Sequence, residues 1–529
     1  MHTVVFWLTI LSAAPQPADV AVVCPATFRE ALKPWVEHRQ RQGHHLAFVS
    51  NDQTVGAIRK QVRDIAKSGK LRFLLLVGDT HPSADRIEEL RARSIPTQFV
   101  RAKVNIHWGS EPVIASDNWY ADLDDDSLPD LAVGRLTADT PDELTTMIRK
   151  IIKYEREADF GPWRRRVNFV AGVGGFGQVA DTVLELATKK LLGDGVPTAF
   201  NTSMTYGSWQ SPYCPDPRKF HDATLQRFNE GCLFWVYIGH GQRRYLDQIH
   251  VPGARYHILD TDNVDKMQPA QGMPIAIFLA CYTGAFDESR DCLAEEMLRA
   301  PGGPVAVLCG SRVTMPYAMA VMSNEMMDEY FVRRRETLGE VVLNAKRRMV
   351  KSTREAASTN RQLVDMIAKL ISPSPKLLDA ERAEHLWLFN LLGDPLLRLA
   401  HPKKVDVQVA ESQHAGEKLT VKATSSLPGQ CMIELVCDRQ RLRFSPPARR
   451  AFDASDRALA AYDKTYERAN DIRWTSRSLR IGNGEFQSTV EIPKAAFGPC
   501  HVRVFVESDD DFAMGSADVL IRRPQSKSK

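Results

Sequence analysis

The sequence predicts an α/β protein built on a buried parallel sheet and followed by an all-β domain. Short apolar runs without polar alternation recur up to about residue 400, separated by amphipathic segments, as expected of strands covered on both faces by helices. Two of these runs, Leu233–Ile238 and Pro274–Ala280, end on Gly239-His240-Gly241 and on Cys281-Tyr282-Thr283-Gly284. Beyond His401 the texture changes to short alternating or β-branched runs divided by turn residues, which is a sandwich pattern.

At 529 residues the chain exceeds one ordinary core, so several domains are expected. Residues 1–18 read as a secretory signal: Val4–Leu11 is apolar and Ser12, Ala13 and Ala14 follow it. No Lys or Arg precedes that core and Pro15 comes just after it, so a first β-strand is the alternative. Residues 19–138 form an N-terminal α/β subdomain. Its elements are a strand at Val20–Val23, a helix at Phe28–Gln42 stopped by Gly43, and a strand at His45–Val49. A helix capped by Asn51 or Asp52 then runs to Lys67, and a buried strand, Leu71–Val77, ends in Gly78-Asp79. An acidic loop, Ser116–Asp130, leads into a short strand at Leu131–Val133.

Residues 139–402 form the second α/β subdomain. Pro141 sits just inside a helix reaching Glu155, where a missing amide hydrogen costs nothing. The strand Val167–Gly172 enters a glycine-rich stretch, Gly172–Gly177, and a helix at Val179–Leu191. The glycine spacing is too irregular for a dinucleotide fingerprint and predicts a tight strand-to-helix turn. After the two site strands come a strand at Val305–Cys309 and helices at Tyr317–Arg335, Leu338–Lys351 and Ala380–Leu392. Residues 403–523 form the β-sandwich, with strands at Val405–Val409, Lys418–Ala423, Met432–Val436, Glu485–Ile492 and His501–Glu507. Residues 440–480 are too polar for its core and read as an insertion, and 524–529 read as a disordered tail.

Composition narrows the function. The net charge is only +4, and no basic stripe with interleaved aromatics exists, so nucleic acid is not an expected partner. Nine cysteines are scattered without the short paired spacings of zinc or dithiol sites, and their odd number leaves at least one unpaired. Cys232, Cys292 and Cys309 fall in or beside apolar runs and read as buried thiols, while Cys431 and Cys437 are too far apart on one strand to bridge. No run other than the N-terminal one is long and uncharged enough to suggest a membrane segment. No organic cofactor is expected.

The chemistry gathers at the two strand ends. In open α/β sheets the ligand crevice lies at the carboxyl ends of the strands, so His240 and Cys281 are expected at one rim. A thiol attacks as thiolate, and a neighbouring imidazole both removes its proton and stabilises the anion. The two residues are separated by one strand-loop-helix excursion, and Gly239 and Gly241 let backbone approach a substrate. The amides of Gly241 and Cys281 would then form an oxyanion hole. A hydrogen-bonded turn histidine and a packing cysteine are the bland alternative, which their pairing on two consecutive buried strands outweighs.

Several segments occur in a telling order: Leu76-Val77-Gly78-Asp79, Ser116-Asp117-Asn118-Trp119-Tyr120, Leu128–Arg135, Tyr237–Gly241, Leu279–Gly284 and Asn390–Pro395. On these the chain, over roughly Val20–Leu399, resembles the gingipain-type cysteine peptidases, which are caspase-like in fold. It departs from the caspase signature at Leu279, which replaces Gln, and by one extra residue before Gly284. The resemblance implies peptide hydrolysis through an acyl-enzyme, with Cys281 as nucleophile, His240 as general base and acid, and the Gly241 and Cys281 amides as oxyanion hole. It also implies an acid near His240, for which Asp117 is the candidate, with a turn or cap role as the alternative. Tyr282 and Gly284 are expected to line the substrate cleft.

By the same resemblance, Asp126 matches the position of an aspartate that selects Arg in the arginine-specific members. Asp122, Asp124, Asp126 and Asp130, however, are spaced like the oxygen ligands of a short calcium loop. We assign the loop to a structural Ca2+ and keep Arg selection as the alternative. The β-rich region matches an immunoglobulin-like domain that braces such catalytic units. The expectation is therefore an exported cysteine endopeptidase acting on protein or peptide substrates, located in the periplasm, at the cell surface or outside the cell. The competing readings are a processing peptidase or transpeptidase of exported proteins, and a non-catalytic caspase-like scaffold.

Overall fold

A computed structural model of the chain describes residues 16–157, 159–173, 195–351 and 359–524. The predicted signal core, most of the glycine-rich turn, the helix predicted at 179–191 and the tail lie outside the described residues. The molecule is organised on ten strands: β1 Val20–Val23, β2 Leu46–Val49, β3 Phe73–Val77, β4 Ala132–Leu136 and β5 Arg166–Ala171 come first. Then follow β6 Asn201–Tyr206, β7 Phe234–Ile238, β8 Ile275–Leu279, β9 Ala306–Gly310 and β10 Phe389–Leu392. They form one sheet in the order β2-β1-β3-β4-β10-β9-β8-β7-β5-β6. Every residue of β3, β7, β8 and β9 is buried, as their unbroken apolar sequences require.

One pairing departs from the parallel rule. β10 runs parallel to β4, with Leu392 opposite Arg135, but antiparallel to β9, where Leu392 faces Val307. The sheet therefore consists of two parallel halves pointing in opposite directions, and the predicted subdomains share it without a break. The carboxyl ends of β7 and β8 consequently lie on the same edge as the amino end of β4. That edge holds both the candidate catalytic rim and the acidic loop that precedes β4.

β10 also corrects the predicted helix Ala380–Leu392. The helix ends at Leu388, and Phe389–Leu392 becomes a strand. Without it the facing edges of β4 and β9 would leave buried backbone groups unpaired, and that demand overrides the helix propensity of the leucines. The predicted helix Tyr317–Arg335 is likewise shorter, running over Pro316–Met327 before a π turn at Asp328–Val332. Thr54, rather than Asn51 or Asp52, caps the second long helix, accepting from the Ala57 amide at 3.3 Å. Thr140 and Glu143 close a capping box ahead of the helix Pro141–Arg156.

The C-terminal region is all-β around its own apolar core. Its strands include Lys403–Gln408, Lys418–Ser425, Gly429–Cys437, Arg473–Ile481, Gly484–Glu491, Gly498–Glu507 and Phe512–Arg522. Cys431 and Cys437 share one strand as expected, and Cys437 faces Cys500 on the next, with all nine thiols free. The polar insertion contains a helix, Asp456–Asn470, that leaves this eight-stranded sheet and docks on β6. The Asn470 side chain accepts from the Met204 amide at 2.7 Å and donates to its carbonyl at 3.0 Å, while Tyr466 Oη and Thr205 Oγ1 lie 2.7 Å apart. The edge of the ten-stranded sheet is thereby covered. A buried ion pair, Arg165 to Glu434 at 2.8 Å, fastens the same two regions.

Candidate active site

β7 and β8 are adjacent and parallel, with Leu279 opposite Ile238. His240 and Cys281 each lie two residues past that pair, at the ends of neighbouring strands about 5 Å apart. Two donors pin the His240 carbonyl: Tyr237 Oη at 2.7 Å and the Asp247 amide at 3.3 Å. Gly241 is obligatory here, because a Cβ at that position would meet the Cys281 carbonyl oxygen at 2.5 Å and Thr283 Cγ2 at 2.8 Å.

The Cys281 thiol is 9 % exposed and faces the loop after β9. The Thr314 amide donates to Sγ at 3.3 Å and the Thr314 hydroxyl lies 3.7 Å away. Burial pushes the thiol pKa up, and those two donors together with the residue's own amide pull it down without cancelling the rise. His385 fixes this loop from behind: its Nε2 accepts from the Met315 amide at 2.9 Å and its Nδ1 lies 2.7 Å from the Glu381 carbonyl. Neither Thr314 nor His385 carries a sequence signal, since one is a loop residue and the other sits within a helix.

Tyr282 follows Cys281 with φ at 58°, a left-handed conformation unusual for an aromatic residue. Its hydroxyl donates to Glu111 Oε2 at 2.9 Å, and the Arg243 guanidinium lies 4.5 Å from its ring centre. Arg243 also bonds Glu111 at 2.6 Å and Glu288 at 2.7 Å. Burial raises the Glu111 pKa, but hydrogen bonds from its own amide, Tyr282 and Arg243 outweigh it and hold the carboxyl below its ordinary value. Tyr282 is thus half-buried at the rim. Gly284 is not: it is buried, with its Cα facing Cys309 so closely that a Cβ would come within 2.3 Å of that Sγ. Its role is to let the loop after Cys281 fold onto β9.

Asp117 is committed elsewhere. Both its oxygens accept from Arg135, each at 2.7 Å, and Oδ1 also accepts from Thr97 at 3.0 Å. Arg135 is fully buried, and an enclosed guanidinium requires a carboxylate, so this pair belongs to the scaffold. Asp247 stands instead beside the histidine: it and His240 line one cavity of about 420 Å3.

The acidic loop divides its residues. Carboxylate oxygens of Asp122, Asp124 and Asp130 lie within 4.8 Å of one another. Positive φ at Asp125, 68°, and Ser127, 73°, curls the backbone around them. Asp126 stands outside this trio, its Oδ1 accepting from the Leu128 amide at 2.7 Å. Asp125 is paired with Arg59 at 2.9 Å and Arg63 at 2.7 Å. A second carboxylate group, Asp79, Asp291 and Glu295, surrounds Arg299, which bonds Asp291 at 2.6 Å. Burial, then the nearby Glu295, pushes the Asp79 pKa well up. This group sits under the loop after Cys281, where the Ala294 amide donates to the Thr283 carbonyl at 3.0 Å.

A buried α/β sheet presenting histidine and cysteine at adjacent strand ends defines a caspase-like architecture of the cysteine-hydrolase kind. More particularly, the chain belongs to peptidase family C25, whose sequence profile matches residues 13–400. It is similar to Gingipain R2 of Porphyromonas gingivalis, at 22 % identity over 407 residues, covering 73 % of this chain and 47 % of that protein. Lys-gingipain of the same organism is 24 % identical over 296 residues, 54 % of this chain and 15 % of its own length. The chain thus spans about half or less of the curated relatives it matches. The crystal structure of the Arg-specific cysteine proteinase gingipain R superposes with a TM-score of 0.52 at 16 % identity, covering 96 % of this chain and 98 % of that one. The complex of the P. gingivalis RgpB pro- and mature domains gives 0.53 at 17 %, covering 95 % and 100 %. At such identities the likeness is one of fold.

Proposed function

We propose that the protein is an exported cysteine endopeptidase that cleaves peptide bonds through an acyl-enzyme on Cys281. The observation that carries this reading is the in-register placement of His240 and Cys281 at the ends of β7 and β8. His240 takes the thiol proton, and Sγ attacks the scissile carbonyl carbon. The amides of Gly241 and Cys281 receive the negative charge that develops on its oxygen. The protonated imidazole then passes its proton to the departing amine. A water deprotonated by His240 finally hydrolyses the thioester and returns the free thiol. Asp247, in place of Asp117, is the acid that orients the imidazole. Export is supported by the apolar run Val4–Leu11 with the small residues after it.

Comparing wild type with Cys281→Ala on a mixed peptide library tests the reading. The variant should lose activity by roughly 10⁴-fold or more, as for loss of other covalent nucleophiles, with its thermal unfolding unchanged. Equal cleavage by the two proteins would overturn it.

The acidic loop is proposed as a structural calcium site held by Asp122, Asp124 and Asp130, whose clustered carboxylates supply the hard oxygen donors such an ion takes. The ion would offset the repulsion within the loop and take no part in the chemistry. Chelation should lower the melting temperature of wild type and leave that of Asp124→Asn unmoved, because an ion bound only to the folded state stabilises it. Identical melting of wild type with chelator and with added Ca2+ rules the site out.

A further inference from the structure

The cavity beside His240 has a second wall, formed by an antiparallel hairpin of strands Gln248–Val251 and Ala254–His257. Its register sets Gln248 opposite His257 and His250 opposite Arg255. Directly opposed residues, and those two apart on one strand, share a face. Ile249 and Val251 turn their side chains to the interior and are buried, so the other face gathers His250, Arg255, His257 and Gln248. Gln248 Nε2 and His257 Nε2 lie 3.2 Å apart. Among the described residues, Arg255 has no carboxylate partner. Asp247 is the one acid among the described lining residues, and its Oδ1 already accepts from the Gln248 amide at 2.7 Å.

A guanidinium, two imidazoles and a carboxamide therefore face a concavity that begins at the candidate general base. The wall is rich in donors and poor in acceptors, and Tyr245 closes one side of it. We propose that this hairpin is a substrate subsite for a carboxylate, carried either by an Asp or Glu side chain near the scissile bond or by the substrate's own C-terminus. Arg255 would hold it in a bidentate contact, with His257 and Gln248 as lateral donors. The proposal rests on the peptidase reading and deepens it, because it fixes the sign of the substrate charge that the site prefers. An acid in the first specificity pocket, the alternative reading of Asp126, would favour the opposite sign.

Matched fluorogenic peptides carrying Glu or Lys at each position around the cleaved bond, each as free acid and as amide, provide the test. The readout is the ratio of kcat/KM for the Glu peptide over the Lys peptide. Wild type should favour Glu, and Arg255→Glu should lower the ratio by about ten- to a hundred-fold, the worth of one hydrogen bond to a charged group. A preference retained in the amides identifies a side-chain carboxylate, and one confined to the free acids identifies the terminus. An unchanged ratio in Arg255→Glu overturns the subsite.

Binding separates this from the reading beneath it. Anisotropy of the labelled Glu peptide on Cys281→Ala, with and without Arg255→Glu, needs no cleavage. Weaker binding to the double variant supports the subsite even if no peptide is ever cut, and equal binding overturns it even if the protein is a peptidase.

Discussion

His385 does not reach the rim, yet it sets how Thr314 meets the Cys281 thiol. It is fully buried, and desolvation holds its pKa down at about 4. The folded protein therefore keeps it neutral where the unfolded chain, titrating near 6.5, binds a proton. The resulting stability is complete above pH 6.5 and is lost as the pH falls toward 4, an effect on the order of 3 kcal/mol. Glu381, pushed up to about 7 by burial, works in the opposite sense, since the folded state then binds the extra proton. The difference between two proteins isolates the histidine: urea midpoints of wild type and His385→Gln should converge between pH 7.5 and pH 5. A constant gap would deny His385 this role. At this scale the sequence discloses Cys281 and His240, because each ends an apolar run. It conceals that Asp117 is claimed by Arg135 and that Thr314 faces the thiol, because both depend on residues brought from other strands and loops.

Among the elements, β10 and the docked helix were the least legible, and for one reason. Phe389–Leu392 and Asp456–Asn470 take their structure from free strand edges elsewhere, whereas local pattern reports only each segment's own preferences. The strands β3, β7, β8 and β9 were legible because burial on both faces writes itself into an unbroken apolar run. The docked helix makes a direct expectation possible. Asn470→Ala strips two hydrogen bonds from the Met204 backbone and should cost about 1–3 kcal/mol in urea unfolding, with increased self-association as the edge of β6 opens. Unchanged stability and a monomer in sedimentation would mean that the edge is guarded by other contacts.

At the scale of the whole molecule, alternation of strand and helix announced a parallel sheet, but not its reversal of direction. The reversal needs only one antiparallel contact, between β9 and β10, and four residues carry it. It has a consequence for the order in which the protein is made. During synthesis Cys281 leaves the ribosome well before the residues of β10, and until Leu392 emerges β4 and β9 face each other across a missing strand. The nascent chain thus holds two half-sheets with exposed edges, and the rim at Cys281 is not yet aligned with the acidic loop. Chaperone demand should peak in that interval.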